Sequence, residues 1–210
     1  MYDANFKILL FGDDTEGKKT LTQKFMIKLF SEGQEDTIGV DFEVKSLLLD
    51  DYKIKLQIWD ISGERRFRDF LPTYISHARG GLFIYDVTEK TSLTNIDFWL
   101  DIIKKDLTEE KIFPIIAVGI IPDSENERQI FYVEGLKLAE FHRLDGFIEC
   151  NVKSGEKIEK LFESISKLML ERSPPPPEPA IAKSSRKAKR NGLNMKKKSK
   201  KEKKKQKSKQ

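Results

Sequence analysis

Nine consecutive residues near the N-terminus have the composition and spacing of a loop that binds phosphate. Their sequence, GDDTEGKKT, places two glycines five residues apart, and a lysine follows the second glycine. Glycines let the backbone turn its N–H groups toward phosphate oxygens, and the lysine brings a positive charge to the outer phosphates. We therefore predict phosphate contacts from this whole segment, which consists of Gly12, Asp13, Asp14, Thr15, Glu16, Gly17, Lys18, Lys19 and Thr20.

One position in this loop departs from the usual pattern. Such loops carry Ser or Thr after the first lysine, and its hydroxyl binds Mg²⁺, whereas this chain has Lys19 there. An ammonium group has no lone pair for a metal, although its charge can partly replace that of the cation. The sequence thus predicts a nucleotide site in which Mg²⁺ is weakly held or dispensable.

Two later segments carry groups that could complete such a site. Thr37 can offer its hydroxyl to a metal and its N–H to a terminal phosphate. The segment WDISGERRF contains Asp60, which can hold a metal-bound water, and Gly63, whose N–H can reach a γ-phosphate. The alternative interpretations are a plain strand-entry threonine and an ordinary strand-to-turn junction.

The elements predicted around these segments form a doubly wound α/β domain. The runs GGLFIYDV and IFPIIAVG are almost continuously apolar, as is typical of parallel strands that are covered on both faces. Asp50 and Asp51 predict a turn between two adjacent strands, and hence one antiparallel hairpin. We predict six strands and five helices in three layers: strands 6–11, 39–49, 53–60, 80–87, 112–119 and 146–150, and helices 18–30, 66–76, 92–106, 128–143 and 155–171.

Charge is divided unevenly along the chain. The formal net charge is +5, but from Ser173 onward fifteen Lys or Arg oppose two Glu, so the last 38 residues carry +13 and the rest carries −8. The segment SPPPP ends the last helix, and the residues after it are too polar and too charged to form a core. We predict a domain over 1–172, followed by a Pro-containing linker and a disordered polybasic tail over 173–210.

The sequence favours a cytoplasmic protein. Cys150 is the single cysteine, so no internal disulfide can form. The N-terminus MYDANF has neither a leader pattern nor a Gly at position 2. No cysteine follows Cys150, so we expect no prenyl anchor, although the basic tail could contact an anionic membrane surface or nucleic acid. A purely solubilising tail is the other interpretation.

Over residues 6–171 the chain resembles the Ras-like small GTPases, and most closely their Rab branch. GDDTEGKKTLTQKF resembles the family's GDSGVGKTxLxxxF, TIGVDF resembles its first switch, and WDISGERRFR resembles WDTAGQERFR. YDVTEKTSL after the fourth strand adds to the similarity. The resemblance implies a P-loop NTPase fold, GTP and GDP as ligands, Mg²⁺ as a cofactor, and effector and regulator proteins bound through switch loops near 34–42 and 62–76.

The departures from the family pattern fall at functional positions. Glu64 aligns with the catalytic glutamine beside Gly63, and an ionised carboxylate accepts hydrogen bonds but donates none. Slowed hydrolysis and a general-base role for Glu64 are both open on this ground. The family's guanine-binding NKxD appears as Ile120, Ile121, Pro122 and Asp123, so that only the acid is kept. The other interpretation is that Asp123 simply starts the polar loop PDSENE. The resemblance further implies that Val152 and Lys153 lie near the base, as Phe30 would if it is not simply a core residue.

Three functions are therefore open. The leading one is a guanine-nucleotide-binding switch and GTPase with slow or altered hydrolysis. The second is a pseudo-GTPase interaction module that no longer cycles, because the metal, catalytic and base positions are all altered. The third is a tether to membrane or nucleic acid that acts mainly through the tail.

Overall fold

The computed structural model describes residues 2–13, 15–26, 40–61, 71–105, 113–121 and 127–174, without the side chains of Thr15 and Glu16. These ranges contain six strands and six helices. None of these six helices is long and apolar enough to cross a membrane. In chain order they are β1 (Ala4–Phe11), α1 (Thr15–Met26), β2 (Val40–Leu49), β3 (Tyr52–Ile61), α2 (Leu71–Ile75), β4 (Gly80–Asp86), α3 (Lys90–Thr94), α4 (Ile96–Lys105), β5 (Ile115–Ile121), α5 (Tyr132–Phe141), β6 (Gly146–Asn151) and α6 (Ile158–Arg172).

The strands form one sheet in the order β2-β3-β1-β4-β5-β6. All neighbours run parallel except β2 and β3, which form an antiparallel hairpin that turns at Asp50 with a φ of 52°. The central position of β1 places the glycine-containing loop in the middle of the sheet, and Leu10 lies opposite Asp60 of β3. The predicted α/β fold with a single antiparallel hairpin is confirmed.

Two buried clusters cover the two faces of the sheet. On one face Phe25 of α1 stacks on Phe162 of α6, with ring centroids 3.6 Å apart. On the other face Trp99 of α4 packs against Phe11 and belongs to the same cluster as Phe83. Fully burying one such side chain contributes about 1.5–3 kcal/mol, so these clusters hold α1, α4 and α6 against the sheet.

Several element boundaries differ from the prediction. Helix α1 begins at Thr15 rather than at residue 18, because the second half of the loop is already helical. The predicted helix 92–106 is divided at Asn95 into α3 and α4. Helix α5 begins at Tyr132 rather than at 128, because the N–H groups of Gln129 and Ile130 both donate to the carbonyl of Val87, which holds that segment against β4.

Candidate functional site

The carboxyl ends of the parallel strands meet along one edge of the sheet. The loop from Gly12 follows β1, Asp60 and Ile61 end β3, and Asn151 ends β6. This edge is where open α/β sheets bind their ligands, because loops and helix N-termini converge there. The described residues of the loop from Gly12 to Thr20 therefore lie at the same edge of the sheet as Asp60.

Gly12 makes the sharp turn that leaves β1. Its φ is +130°, a conformation that residues with a side chain rarely adopt, and a Cβ built on it would lie 2.0 Å from the carbonyl oxygen of Ile84. The backbone here passes so close to β4 that only glycine fits. This explains why the segment needs a glycine at its first position, independently of any ligand.

Lys18 lies in the first turns of α1 and is fully buried. Its Nζ donates to the carbonyl oxygens of Gly12 at 2.9 Å and Ile61 at 2.5 Å. The ammonium thus links the start of the loop to the end of β3. An anionic ligand at this edge would meet a positive charge that the protein itself holds in place.

Asp60 partly compensates the charge of Lys18. Its Oδ1 lies 3.6 Å from Lys18 Nζ, and the residue is only 5% exposed. Removing one partner of a buried ion pair typically costs about 3–5 kcal/mol, because the other charge is left without compensation. The two residues therefore act as a unit, and Asp60 contacts the loop lysine rather than lying apart from it.

The side chain of Asp13 accepts hydrogen bonds from Trp99 of α4 and from Asn95, the residue before that helix. Asn95 Nδ2 donates to Asp13 Oδ2, and Trp99 Nε1 donates to Asp13 Oδ1 at 3.2 Å. The sequence patterns predict no contact of Trp99 or Asn95 with this loop. Asn95 lies 82 positions after Asp13 in the sequence, and Trp99 lies 86 positions after it. No local sequence pattern spans such distances, so these contacts could not be predicted from the sequence.

The residues after Lys18 continue along α1. Lys19 and Thr20 are half-buried, whereas Thr22 is buried and its hydroxyl donates to the carbonyl of Lys18 at 3.1 Å. Because consecutive helical residues point about 100° apart, the hydroxyl of Thr20 cannot simply replace the one that is missing at Lys19. The loop therefore offers a second ammonium where such loops usually offer an oxygen ligand.

The turn after β6 carries two predicted base-binding residues. Asn151 Oδ1 accepts hydrogen bonds from the N–H groups of Lys153 at 2.9 Å and Ser154 at 2.8 Å. Val152 is half-buried and packs against the core, while Lys153 is exposed. The side chain of Asn151 thus holds the turn that contains Lys153. The sequence pattern did not predict this role.

Several predicted site residues lie outside the described residues. These are Asp14, Phe30, Thr37, Gly63, Glu64 and Asp123, together with the side chains of Thr15 and Glu16. The positions predicted for catalysis, metal binding through Thr37 and base recognition through Asp123 therefore stay predictions.

An aromatic surface lies beside the site, on β2, β3 and α2. Trp59 contacts Phe42 and Tyr74, with ring centroids 5.1 and 6.3 Å away, and Phe42 is 47% exposed. Lys7 Nζ lies 4.0 Å from the centre of a Trp59 ring and donates to the carbonyl of Ser76. Burial lowers the pKa of Lys7 from its ordinary value. Aromatic side chains in this arrangement suit a protein interface.

Comparison with known proteins covers most of the chain. A family model described as "Ras family" matches residues 7–171. The Ras-related protein Rab-19 of Mus musculus is 32% identical over 171 residues, which cover 81% of this chain and 78% of the relative. Rab-1 of Theileria annulata is 37% identical over 169 residues, covering 80% and 76%. Rab-18 of Caenorhabditis elegans is 36% identical over 162 residues, covering 77% and 78%.

Proposed function

The chain belongs to the Ras family of small GTPases, in its Rab branch, and on that basis we propose that it is a guanine-nucleotide-dependent switch with slow or altered GTP hydrolysis. The observation that carries the proposal is the buried ammonium of Lys18, which links the loop after β1 to the end of β3. A buried cation at the edge where the strands end suits the polyphosphate of a nucleotide.

Two glycines place the backbone of the loop at this edge. Gly12 lets the chain leave β1 past the Ile84 carbonyl, where a Cβ would clash, and Gly17 is buried in the first turn of α1 beside Lys18. We propose that the loop from Gly12 to Thr20 surrounds the phosphates with main-chain N–H groups, and that Lys18 supplies their countercharge.

The donor set fits Mg²⁺ less well. Lys19 stands where the hydroxyl ligand is expected, and Asp60 is already paired with Lys18. Thr37 and a water held by Asp60 are the remaining candidates in our proposal. When Mg²⁺ is bound it would neutralise phosphate charge, and here the ammonium of Lys19 supplies part of that charge instead. We therefore propose that nucleotide binding depends little on the metal.

Hydrolysis is proposed to be slow because of Glu64. A glutamine at this position can accept from the attacking water and donate toward the phosphoryl group, whereas a carboxylate only accepts and adds negative charge. Gly63 and Thr37 are proposed to contact the γ-phosphate and to rearrange with it. Their loops, near 34–42 and 62–76, would then present the aromatic surface of Phe42, Trp59 and Tyr74 to effectors and regulators.

We propose that Asp123 recognises the base and that Phe30, Val152 and Lys153 pack against the base ring. Guanine offers two adjacent donors to a carboxylate, and adenine has no matching pair. Ile120 and Ile121 replace polar residues of the family motif, and each missing hydrogen bond is worth about 0.5–1.5 kcal/mol. We expect weaker and less selective guanine binding than a complete motif would give.

A pseudo-GTPase is the second candidate, and the internal contacts of Lys18 favour it. The ammonium already has two carbonyl acceptors and the Asp60 carboxylate, so the fold does not need a nucleotide to compensate it. In that case the domain would serve as an interaction module through the same aromatic surface. Lys19 and Glu64 would then mark a site that no longer binds metal or hydrolyses GTP, rather than one in which these activities are altered.

We also propose that the domain ends near residue 172 and that the basic tail makes peripheral contacts. Its net charge of +13 suits the anionic cytoplasmic surface of a membrane or nucleic acid, with strong salt dependence in both cases. Binding of the full chain to phosphatidylserine vesicles and to RNA, each at 50 and 300 mM salt, separates the two ligands. Loss of both contacts on deletion of 175–210 is expected.

The test of the leading proposal is nucleotide binding by the purified 210-residue chain, with fluorescent GDP, GTP and ATP analogues, in Mg²⁺ and in EDTA. We expect saturable binding of GDP and GTP that changes little when the metal is removed. Absence of saturable binding would establish the pseudo-GTPase. Equal affinity for the ATP analogue would contradict the role of Asp123.

Single-turnover hydrolysis separates the switch from the inert module once binding is established. We expect slow release of phosphate from bound GTP, and an increase in rate for Glu64→Gln. A matched Glu127→Gln variant, whose exposed side chain lies outside the predicted site, should leave the rate unchanged. A slower Glu64→Gln variant would instead assign a general-base role to Glu64.

A further inference from the structure

Strand β6 forms one edge of the sheet and borders a groove. No other strand of the described residues pairs with its outer side. Helix α5 covers one face of the sheet here and α6 covers the other, which leaves a groove of about 510 Å³ along the strand. Its walls come from Tyr132 on α5, from β6 itself, and from a face of α6 between Lys157 and Glu171.

The backbone of β6 can accept a further strand. The carbonyl of Asn151 accepts a hydrogen bond from Gly155 at 2.9 Å, and Asn151 pairs with Glu156 on the side away from β5. Because main-chain groups alternate in direction along a strand, those of Glu149 and Phe147 face the same open side. Two residues of β6 therefore offer N–H and C=O groups to the groove.

Apolar side chains line both sides of this open edge. Tyr132 packs against Phe147 with ring centroids 4.9 Å apart, and Tyr132 is 55% exposed. On the opposite side Ile148 and Leu168 are half-buried and line the groove. An added strand would place alternate side chains against these two walls, because successive residues of a strand point to opposite faces.

The charges of the groove are unevenly compensated. Asp145 is paired with Arg172, and Glu149 forms a bidentate pair with Arg128 at 2.8 and 3.1 Å. On α6, Lys160 and Lys167 are exposed, and neither has an ion-pair partner among the described residues. These lysines are two turns apart on the face that lines the groove. Glu171 also lines it, one turn beyond Lys167, so the positive charge is concentrated between Lys160 and Lys167.

We propose that this edge binds an extended acidic peptide from a partner protein, which pairs with β6 as a seventh strand. Main-chain bonds to Phe147 and Glu149 supply the pairing, the wall of Tyr132 and Phe147 takes the apolar side chains, and Lys160 and Lys167 on the α6 side select the alternate carboxylates. The basic tail of this chain does not suit the site, because its charge of +13 would face the two lysines. The site is separate from the proposed nucleotide pocket and does not depend on it.

The test uses the ¹⁵N-labelled 210-residue chain and a pool of eight-residue peptides. The peptides carry Glu or Asp at alternate positions and Val, Ile, Leu or Phe at the others. We expect the amide signals of Phe147 and Glu149 to shift saturably and to gain protection from hydrogen exchange. The double variant Lys160→Glu/Lys167→Glu should weaken the affinity measured from these amides about tenfold or more.

The control variant is Lys104→Glu/Lys105→Glu, which makes the same charge change at the exposed end of α4 and should alter that affinity by less than about twofold. Its amide spectrum, like that of the groove variant, should show an intact fold. Shifts confined to residues 175–210, equal binding of a lysine-containing pool, or β6 shifts that follow protein concentration without peptide would each overturn the proposal. The last result would indicate a second copy of the chain instead.

Discussion

Trp99 Nε1 donates a hydrogen bond of 3.2 Å to Asp13 Oδ1, which joins the loop after β1 to α4, on the sheet face opposite to α1. Asn95 holds the other carboxylate oxygen. The conformation of the loop is therefore set partly by α4 and by Asn95 before it, although neither belongs to the loop motif. Changes in α4 should reach the proposed nucleotide site through Asp13.

Trp99→Phe tests this connection. The substitution removes the indole N–H and part of the buried ring, so we expect the free energy of unfolding to fall by about 2 kcal/mol. The amides of Gly12 and Asp13 should exchange faster, because their loop loses an anchor. Urea unfolding and hydrogen exchange measure the two effects.

Trp59→Phe is the control for this change. The Nε1 of Trp59 is buried and has no hydrogen-bond partner among the described residues, so its removal breaks no such bond. We expect unchanged exchange at Gly12 and Asp13 in this variant. Equal acceleration in both variants would mean that Trp99 does not act through Asp13.

Lys18→Met removes the buried ammonium and with it the ion pair to Asp60. We expect the free energy of unfolding to fall by about 3 kcal/mol, and nucleotide affinity to fall about 100-fold where binding is detected. Lys137→Met on the exposed side of α5 is the control and should change neither quantity. Undiminished affinity in Lys18→Met would remove the lysine from the phosphate site.

Lys19→Ser restores the residue type that normally binds the metal. We expect the variant to need Mg²⁺ for tight GDP binding, with affinity about tenfold lower in EDTA, whereas the native chain differs little between the two conditions. Titration with a fluorescent GDP analogue measures this. A normal metal requirement in the native chain would refute the argument about Lys19.

Gly12→Ala should be among the most damaging single-methyl additions in the domain. The new Cβ would lie 2.0 Å from the Ile84 carbonyl at a φ of +130°, so we expect a loss of about 3 kcal/mol or more in unfolding free energy. Gly155→Ala is the matched control, because its φ is +82° but nothing lies within 4 Å of the added carbon. A loss of about 1 kcal/mol is expected there; equal losses would contradict the steric argument.

Stability should decline in alkali. Burial raises the pKa of the Cys150 thiol from 9.0 to about 12, and burial, with Glu149, raises the pKa of the Tyr85 hydroxyl. The unfolded chain therefore loses these protons first, so the free energy of unfolding falls as pH rises from about 9 toward 12. Urea unfolding between pH 8 and 10.5 measures the slope. The Cys150→Ala variant should show a shallower decline of unfolding free energy with pH. Equal slopes for the variant and the native chain would contradict the contribution of the Cys150 thiol.

The sequence determined the order of the elements and the position of the proposed phosphate loop. Apolar runs of strand length, a glycine-lysine loop and a paired Asp turn are local signals, because each depends on neighbouring residues. They were sufficient to predict the parallel sheet, the hairpin at Asp50 and the location of Lys18 and Asp60 at one edge. Boundaries such as the start of α5 were missed because distant main-chain bonds to Val87 decide them.

Only the tertiary structure decided which side chains complete the site. The contacts of Asp13 with Asn95 and Trp99, and the two carbonyls that hold Lys18, join residues separated by several elements. The open edge of β6 also depends on the strand order, which places that strand last in the sheet. Local patterns determine what a segment becomes, whereas packing across the sheet determines which segments meet, since burial and long-range hydrogen bonds act only once the chain is folded.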